Sequence, residues 1–402
     1  MTNFCDYVKQ NSRNSFADLP LNEVDIACLN ELAYLPLGDW LGQEQLALDK
    51  VALGQFRDYE KTLQVDLDFL ITKERWNLFQ AVLDSKRFEQ LHLSYYTNEV
   101  SSEFERQFAA MMLEIPEIGH RQLIFRGTDD SLIGWKEDFQ MTYMREIPAQ
   151  RLAVAYLKHY LETTEGQLII SGHSKGGNLA LYAASQQSSG QQERIQQIYL
   201  FDAPGLHQTV LSSPGYLAVR GKVVAIRPQE SIVGIMLSSD IQVHIIESLK
   251  FGMEQHLMAN WQVNSTGTFV KAKESTALSQ ALEKTFKVWT EELSSQELKI
   301  FFDTFFNLFL DNGIDSLNDL LKWDTGIAQK LGDVFKDLRT LDDAKRQLMW
   351  KSLSLLVKTF NQTSFDHQKA KFDKGEFEFS KWLKPKPEVY IKIKPKDSED
   401  KE

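Results

Sequence analysis

The 402-residue chain predicts an α/β fold: a mostly parallel sheet with helices on both faces, continued at the C-terminus by helices alone. Three observations lead to it. Between His120 and Phe269 short apolar runs alternate with helical patterns, the order that builds a sheet from strand–helix–strand units. The runs are apolar throughout and do not alternate with polar residues, which marks strands buried on both faces. Beyond about Lys271 the strand pattern stops and a helical period takes over.

Residues 1 to about 110 combine helical patterns, Val24 to Leu35 and Trp76 to Leu83, with polar connections, and are expected to flank the sheet. Strands are expected at Gln122 to Phe125, Leu168 to Ile170, Ile198 to Phe201, Val223 to Ile226 and Val243 to Ile246. Leu278, Leu282, Phe286, Trp289 and Leu293 then recur every three or four residues and share one helix face. Ser294-Ser295-Gln296-Glu297 supplies a capping box ahead of Leu298, Ile300, Phe301, Phe302, Phe305, Phe306, Leu308 and Phe309. That wide apolar face reads as the core of a small helical unit, with a lid, a partner surface or an acyl-chain groove as the sharper alternative. The helical pattern runs on through Leu348 to Phe360 and gives way to Lys384-Pro385-Lys386-Pro387 and Lys392-Ile393-Lys394-Pro395-Lys396, expected to be a disordered, solvated tail. The expected division is residues 1–270 for the sheet-bearing domain, 271–383 for a helical extension or cap, and 384–402 for the tail.

Composition excludes several classes. With 45 basic and 56 acidic residues the net charge is −11, so no nucleic-acid partner is expected, and an anionic membrane repels the body as a whole. Peripheral membrane contact is left to the basic tail. Two cysteines, Cys5 and Cys28, make neither a disulfide framework nor a metal cluster, and no metal or organic cofactor is expected. The stretch Met1 to Asp6 shows no basic region leading into an apolar one, and no run of about 18 apolar residues occurs, so the expected location is the cytoplasm.

Chemistry concentrates in Leu168-Ile169-Ile170-Ser171-Gly172-His173-Ser174-Lys175-Gly176-Gly177, a strand, a sharp turn and a helix with Gly-x-Ser-x-Gly at the turn. Glycines are needed on both sides because strand and helix backbones pass too close for a Cβ, and the turn presents Ser174 as a nucleophile. A serine nucleophile needs a base, an acid that orients the base, and donors aimed at the developing oxyanion. In a fold of this type the chain order is serine, acid, histidine. Of the eight histidines, His92, His120 and His159 precede Ser174, and His173 adjoins it on the turn, where it can support the elbow. His207 and His244 follow or fall within strands and His367 lies beyond the sheet, which leaves His256, after the last strand, as the base. Glu230, in Gln229-Glu230-Ser231, ends the strand after which the acid usually sits, and Asp202, in Phe201-Asp202-Ala203-Pro204-Gly205, is the alternative acid. The oxyanion donors expected are the N–H of Lys175 and, from Phe125-Arg126-Gly127-Thr128-Asp129-Asp130, Thr128 through its N–H and hydroxyl. The Lys175 side chain either favours an anionic substrate or points to solvent, and Arg126 with Asp129 offers a surface ion pair as the plainer reading of that turn.

These residues resemble class 3 lipases, in which a strand ending Phe-Arg-Gly-Thr is followed by Gly-His-Ser-x-Gly-Gly. The fuller string is similar to a bacterial domain-of-unknown-function family of lipase-like α/β hydrolases. It comprises Phe125 to Asp130, Trp135-Lys136-Glu137-Asp138, Gly172 to Asn178, Asp202 to Gly205, Ser231-Ile232-Val233-Gly234 and Gln255-His256, and covers about residues 20 to 310. The resemblance implies an α/β-hydrolase fold, with Ser174 and His256 as nucleophile and base and Thr128 with Lys175 as the oxyanion hole. It departs at the acid, where class 3 lipases carry aspartate and this chain has Glu230. Those lipases are mostly secreted, whereas the expected location here is the cytoplasm, so the expected activity is that of an intracellular esterase or lysophospholipase-like enzyme acting on a small-molecule or lipid ester. The rivals are a non-catalytic scaffold that binds a lipid or a protein partner, and a hydrolase of thioesters or amides.

Overall fold

The computed structural model describes residues 2–40, 45–46, 51–57, 67, 71–101, 103, 105–129, 131–316 and 325–373. The tail expected at 384–402, and Asp130 of the strand-end motif, lie outside the described residues. Nine strands among the described residues form one sheet: β1 (Gln45–Leu46), β2 (Val51–Ala52), β3 (His92–Ser101), β4 (Arg106–Ile115), β5 (His120–Phe125), β6 (Leu168–His173), β7 (Ile195–Phe201), β8 (Val223–Pro228) and β9 (Val243–Ile246). Strands β5 to β9 lie side by side in chain order and pair parallel, whereas β1 and β2 pair with β3, β3 with β4 and β4 with β5 antiparallel. The result is an α/β fold whose parallel half contains all five expected strands.

The antiparallel half corrects the reading of residues 1 to 110 as helices and polar connections. Phe108-Ala109-Ala110-Met111-Met112-Leu113 is rich in helix formers, yet it is a buried strand because sheet context overrides propensity. In β3 the pairing register shifts between Ser94 and Thr97, with Tyr95 at φ 51°, so no clean alternation marks it as a strand. The two expected helices are present as Glu23–Leu32 and Lys73–Asp84.

Period-2 side-chain geometry sends alternate strand residues to two cores. Ile124, Ile169 and Phe201 join the core built with the N-terminal helices, while Leu123, Phe125, Leu168, Ile170 and Leu200 join the core under helices Pro148–Thr163 and Lys175–Ser185. Residues apolar on both faces are what such strands require. The extension holds helices Ala277–Glu292, Ser295–Leu310, Thr325–Thr340 and Asp343–Asp373. Ser294 caps the second of them and forms the expected box with Glu297. Its Leu298, Phe301, Phe302, Phe306 and Leu308 are buried in a third core with Trp289 and Leu293, whereas Leu278 stands 40% exposed and leaves the shared face. The extension grips helix Leu132–Gln140: the Phe139 and Phe302 rings stack at 4.6 Å, and Lys136 Nζ donates to Asn307 Oδ1 at 3.0 Å. Among the described residues no helix is long and apolar enough to cross a membrane.

Candidate active site

Strand β6 lies near the middle of the whole sheet, between β5 and β7, so its C-terminal end is flanked by the ends of those two strands, where side chains from separate loops can meet. Ser174 sits there between β6 and helix Lys175–Ser185 with φ 58° and ψ −135°, a conformation that costs a non-glycine residue about 1–3 kcal/mol. The flanking glycines are required by contact: a Cβ on Gly172 would stand 2.1 Å from the Gly176 carbonyl carbon, and one on Gly176 would stand 2.1 Å from the Phe125 carbonyl oxygen. Ser174 N–H donates to Phe201 O at 3.0 Å, which ties the elbow to β7.

The loop after β5 lies directly against the elbow, since a Cβ on Gly127 would come within 3.0 Å of Ser174 Cβ. Thr128 Oγ1 donates to Asp138 Oδ2 at 2.5 Å, so its hydroxyl is committed and the N–H alone remains to donate. Among the described residues neither the Thr128 nor the Lys175 N–H has a hydrogen-bond partner. Arg126 and Asp129 are not a surface pair: both are buried, 3.9 Å apart, and Arg126 Nη2 donates to Asn98 Oδ1 at 3.0 Å.

The Lys175 side chain does not reach solvent. Its side chain is fully buried and its Nζ reaches Glu137 Oε2 at 3.1 Å, Asp138 Oδ1 at 3.3 Å and Gln107 O at 3.2 Å. Burial pulls this ammonium towards neutrality, but Asp138 and Glu137 outweigh it and hold its pKa above the ordinary value. Glu137 also accepts from the N–H groups of Gln107 and Ala149, so one ion cluster joins the elbow, β4 and the helix behind the Thr128 loop. Removing one partner of such a cluster strands the others, and Lys175→Met is expected to lower stability by about 3–5 kcal/mol in denaturant unfolding. Burial raises the Asp138 carboxyl to about 6, against the opposing pull of Lys175 and Thr128. With its folded pKa above the unfolded one, Asp138 contributes stability that is complete below its unfolded pKa and is lost as pH rises through the folded value. Compared with Asp138→Asn, the native chain is therefore expected to gain roughly 2 kcal/mol of stability on going from about pH 7 to about pH 4, read from denaturant titrations at each pH.

Of the two candidate acids, Asp202 is the one the structure brings to His256. His256 Nδ1 lies 2.6 Å from Asp202 Oδ2, and Asp202, at the end of β7, is fully buried. Glu230 does not approach the imidazole. Its Oε2 accepts from Gly252 N–H at 2.6 Å and from Gln255 Nε2 at 3.2 Å, while its own N–H donates to Gln255 Oε1 at 3.1 Å. The reason is geometric: β8 runs two residues past Ile226, so Glu230 meets the backbone of the His256 loop, whereas Asp202, turned by a φ of 42°, points across to the ring.

Three further residues complete the arrangement. Ser231 Oγ donates to Asp202 Oδ1 at 2.5 Å and so satisfies the second carboxylate oxygen. His173 does more than support the turn: its Nε2 lies 2.8 Å from the His256 carbonyl, which can only accept, so the proton is on Nε2 and Nδ1 accepts from Tyr34 Oη at 2.6 Å. Burial, then the neighbouring His256 and Arg75, hold the His173 pKa well below its ordinary value, so this ring stays neutral beside His256, 4.4 Å away between ring centres. Ser231 and Gln255 stood in recognisable strings, but nothing in the sequence links Tyr34 to His173, 139 residues away.

A search of curated proteins returns no match. Among solved structures the chain aligns with a deletion mutant in the Rhizomucor miehei lipase propeptide complex at 13% identity and a TM-score of 0.33, over 56% of this chain and 68% of that one. Residues 82–307, more than half of the chain, match the Mbeg1-like family model, and the chain belongs to that family of lipase-like proteins.

Proposed function

We propose that the chain is a serine hydrolase of α/β-hydrolase fold that cleaves carboxylic esters, those of acyl lipids included, through an acyl-enzyme on Ser174. The observation that supports this most is the buried Asp202 carboxylate 2.6 Å from His256 Nδ1, on strand ends that also hold the strained Ser174. Asp202 keeps the Nδ1 proton of His256, leaving Nε2 to take the proton of Ser174 Oγ as that oxygen attacks the ester carbonyl. The oxyanion that forms is stabilised by the N–H groups of Thr128 and Lys175, the latter at a helix N-terminus. Collapse expels the alcohol, protonated by His256, and a water activated by the same ring then releases the acid. The extension would shape the acyl site. A cavity of about 760 Å³ lies between Ala203, Leu206 and Met236 on the body and Phe286 and Trp289 on helix Ala277–Glu292, although Ser174 and His256 do not line it.

One observation favours the rival, a hydrolase-like scaffold that binds a lipid or a protein: among the described residues the Ser174 hydroxyl makes no hydrogen bond with His256. Resting enzymes often show such loosened contacts. Labelling by a fluorescent fluorophosphonate separates the two. Labelling of the native chain, absent from Ser174→Ala and His256→Ala, is the expected result; a folded native chain that does not label favours the scaffold. Thioesters and amides are then compared with esters as substrates, because pocket shape and not the triad selects among them.

A further inference from the structure

We propose that the tip of the His256 loop, Leu249 to Met253, is a contact surface for zwitterionic lipid that presents the site to esters lying in a bilayer; its purpose, though not its binding, rests on the ester-hydrolase reading. Within five residues three apolar side chains stand in solvent: Phe251 is 83% exposed, Met253 57% and Leu249 36%. One exposed leucine needs no explanation, but a cluster beside a catalytic histidine does. The tip is not a loose segment. Leu249 N–H donates to Asn260 O at 2.8 Å, Gly252 N–H to Glu230 Oε2 at 2.6 Å and Trp261 Nε1 to Gln255 O at 2.7 Å. Both its ends are therefore held while its side chains point outward. At its apex Gly252 turns with φ 59°, and a Cβ there would meet nothing within 4 Å, so the tip is convex.

Convexity and size choose the occupant. A stable protein interface needs roughly 800 Å² and 20–30 residues on each side, far more than three side chains on a projecting tip that also carries Lys250 and lies between Ser248 and Glu254. A lipid surface needs no matching groove, because an aromatic ring and a thioether can enter the headgroup region singly. Charge selects the lipid. Lys250 Nζ is 3.4 Å from Glu254 Oε1, so the tip adds no net positive charge, and a chain of net charge −11 is repelled by anionic bilayers.

The test is co-sedimentation with phosphatidylcholine vesicles, carried out in a Ser174→Ala background so that binding is read without turnover. Relative to this parent, Phe251→Ser/Met253→Ser is expected to partition about tenfold less or weaker still, with an unchanged melting temperature, and Phe251→Trp is expected to partition at least as well. Addition of phosphatidylglycerol is expected to weaken parental binding. Equal partitioning of the double variant, or no partitioning of the parent, overturns the proposal, as does a parental dimer in gel filtration that Phe251→Ser abolishes while vesicles are ignored. Failure of fluorophosphonate labelling would leave this contact standing, and failure of vesicle binding would leave the ester reading standing.

Discussion

Replacement of Ser174 by alanine is expected to leave a folded chain whose ester hydrolysis falls by about a millionfold, to the rate supplied by binding and oxyanion donors alone. Among the described residues two other hydroxyls of the site are already committed, Thr128 Oγ1 to Asp138 and Ser231 Oγ to Asp202. A conformational side effect makes the experiment sharper. Because Ser174 holds φ at 58°, Ser174→Gly is expected to be inactive yet about 1 kcal/mol more stable than the native chain, as relief of backbone strain requires. Calorimetry alongside an ester assay reads both. Retained hydrolysis by a folded Ser174→Ala chain would sink the nucleophile assignment.

The second large effect concerns the acid. Asp202→Asn is expected to lower kcat about ten-thousandfold with little change in fold. Asparagine can keep the acceptor for Ser231, but it then turns an N–H₂ towards His256 Nδ1. That nitrogen must accept, the ring proton moves to Nε2, and the atom that should remove the serine proton is already protonated. Glu230→Gln separates this from a general effect of losing a nearby carboxylate. Glutamine retains a carbonyl for the Gly252 N–H and touches no imidazole, so its kcat is expected to stay within about tenfold of native. A reversal, with Glu230→Gln crippled and Asp202→Asn active, would return the acid to Glu230.

The parallel strands were legible because a strand buried on both faces must be apolar throughout, as Leu168 to Ile170 and Ile198 to Phe201 are. Strands β3 and β4 were not legible, because a bulge at Tyr95 breaks one pattern and Ala109-Ala110-Met111-Met112 imitates a helix in the other. The elbow was readable for a similar reason: the close approach of Gly172 to Gly176 leaves glycine as the residue that fits, and that requirement is local.

What the sequence by itself determined is the set of features with local causes: the five parallel strands, the Gly-His-Ser-Lys-Gly-Gly turn, the capped helix at Ser294 and the order of candidate groups along the chain. Tertiary structure alone decided which of two carboxylates meets His256, where the Lys175 ammonium goes and why Tyr34 matters to His173. Both Asp202 and Glu230 end adjacent strands and both are acidic. The choice between them depends on a backbone turn at φ 42° and on two loops 54 residues apart meeting within 2.6 Å. Lys175 likewise turns inward because Glu137 and Asp138, nearly 40 positions earlier in the chain, offer it charge inside a space that water does not reach. Such pairings depend on distance and burial in three dimensions, and neither quantity is a property of neighbouring residues in the chain.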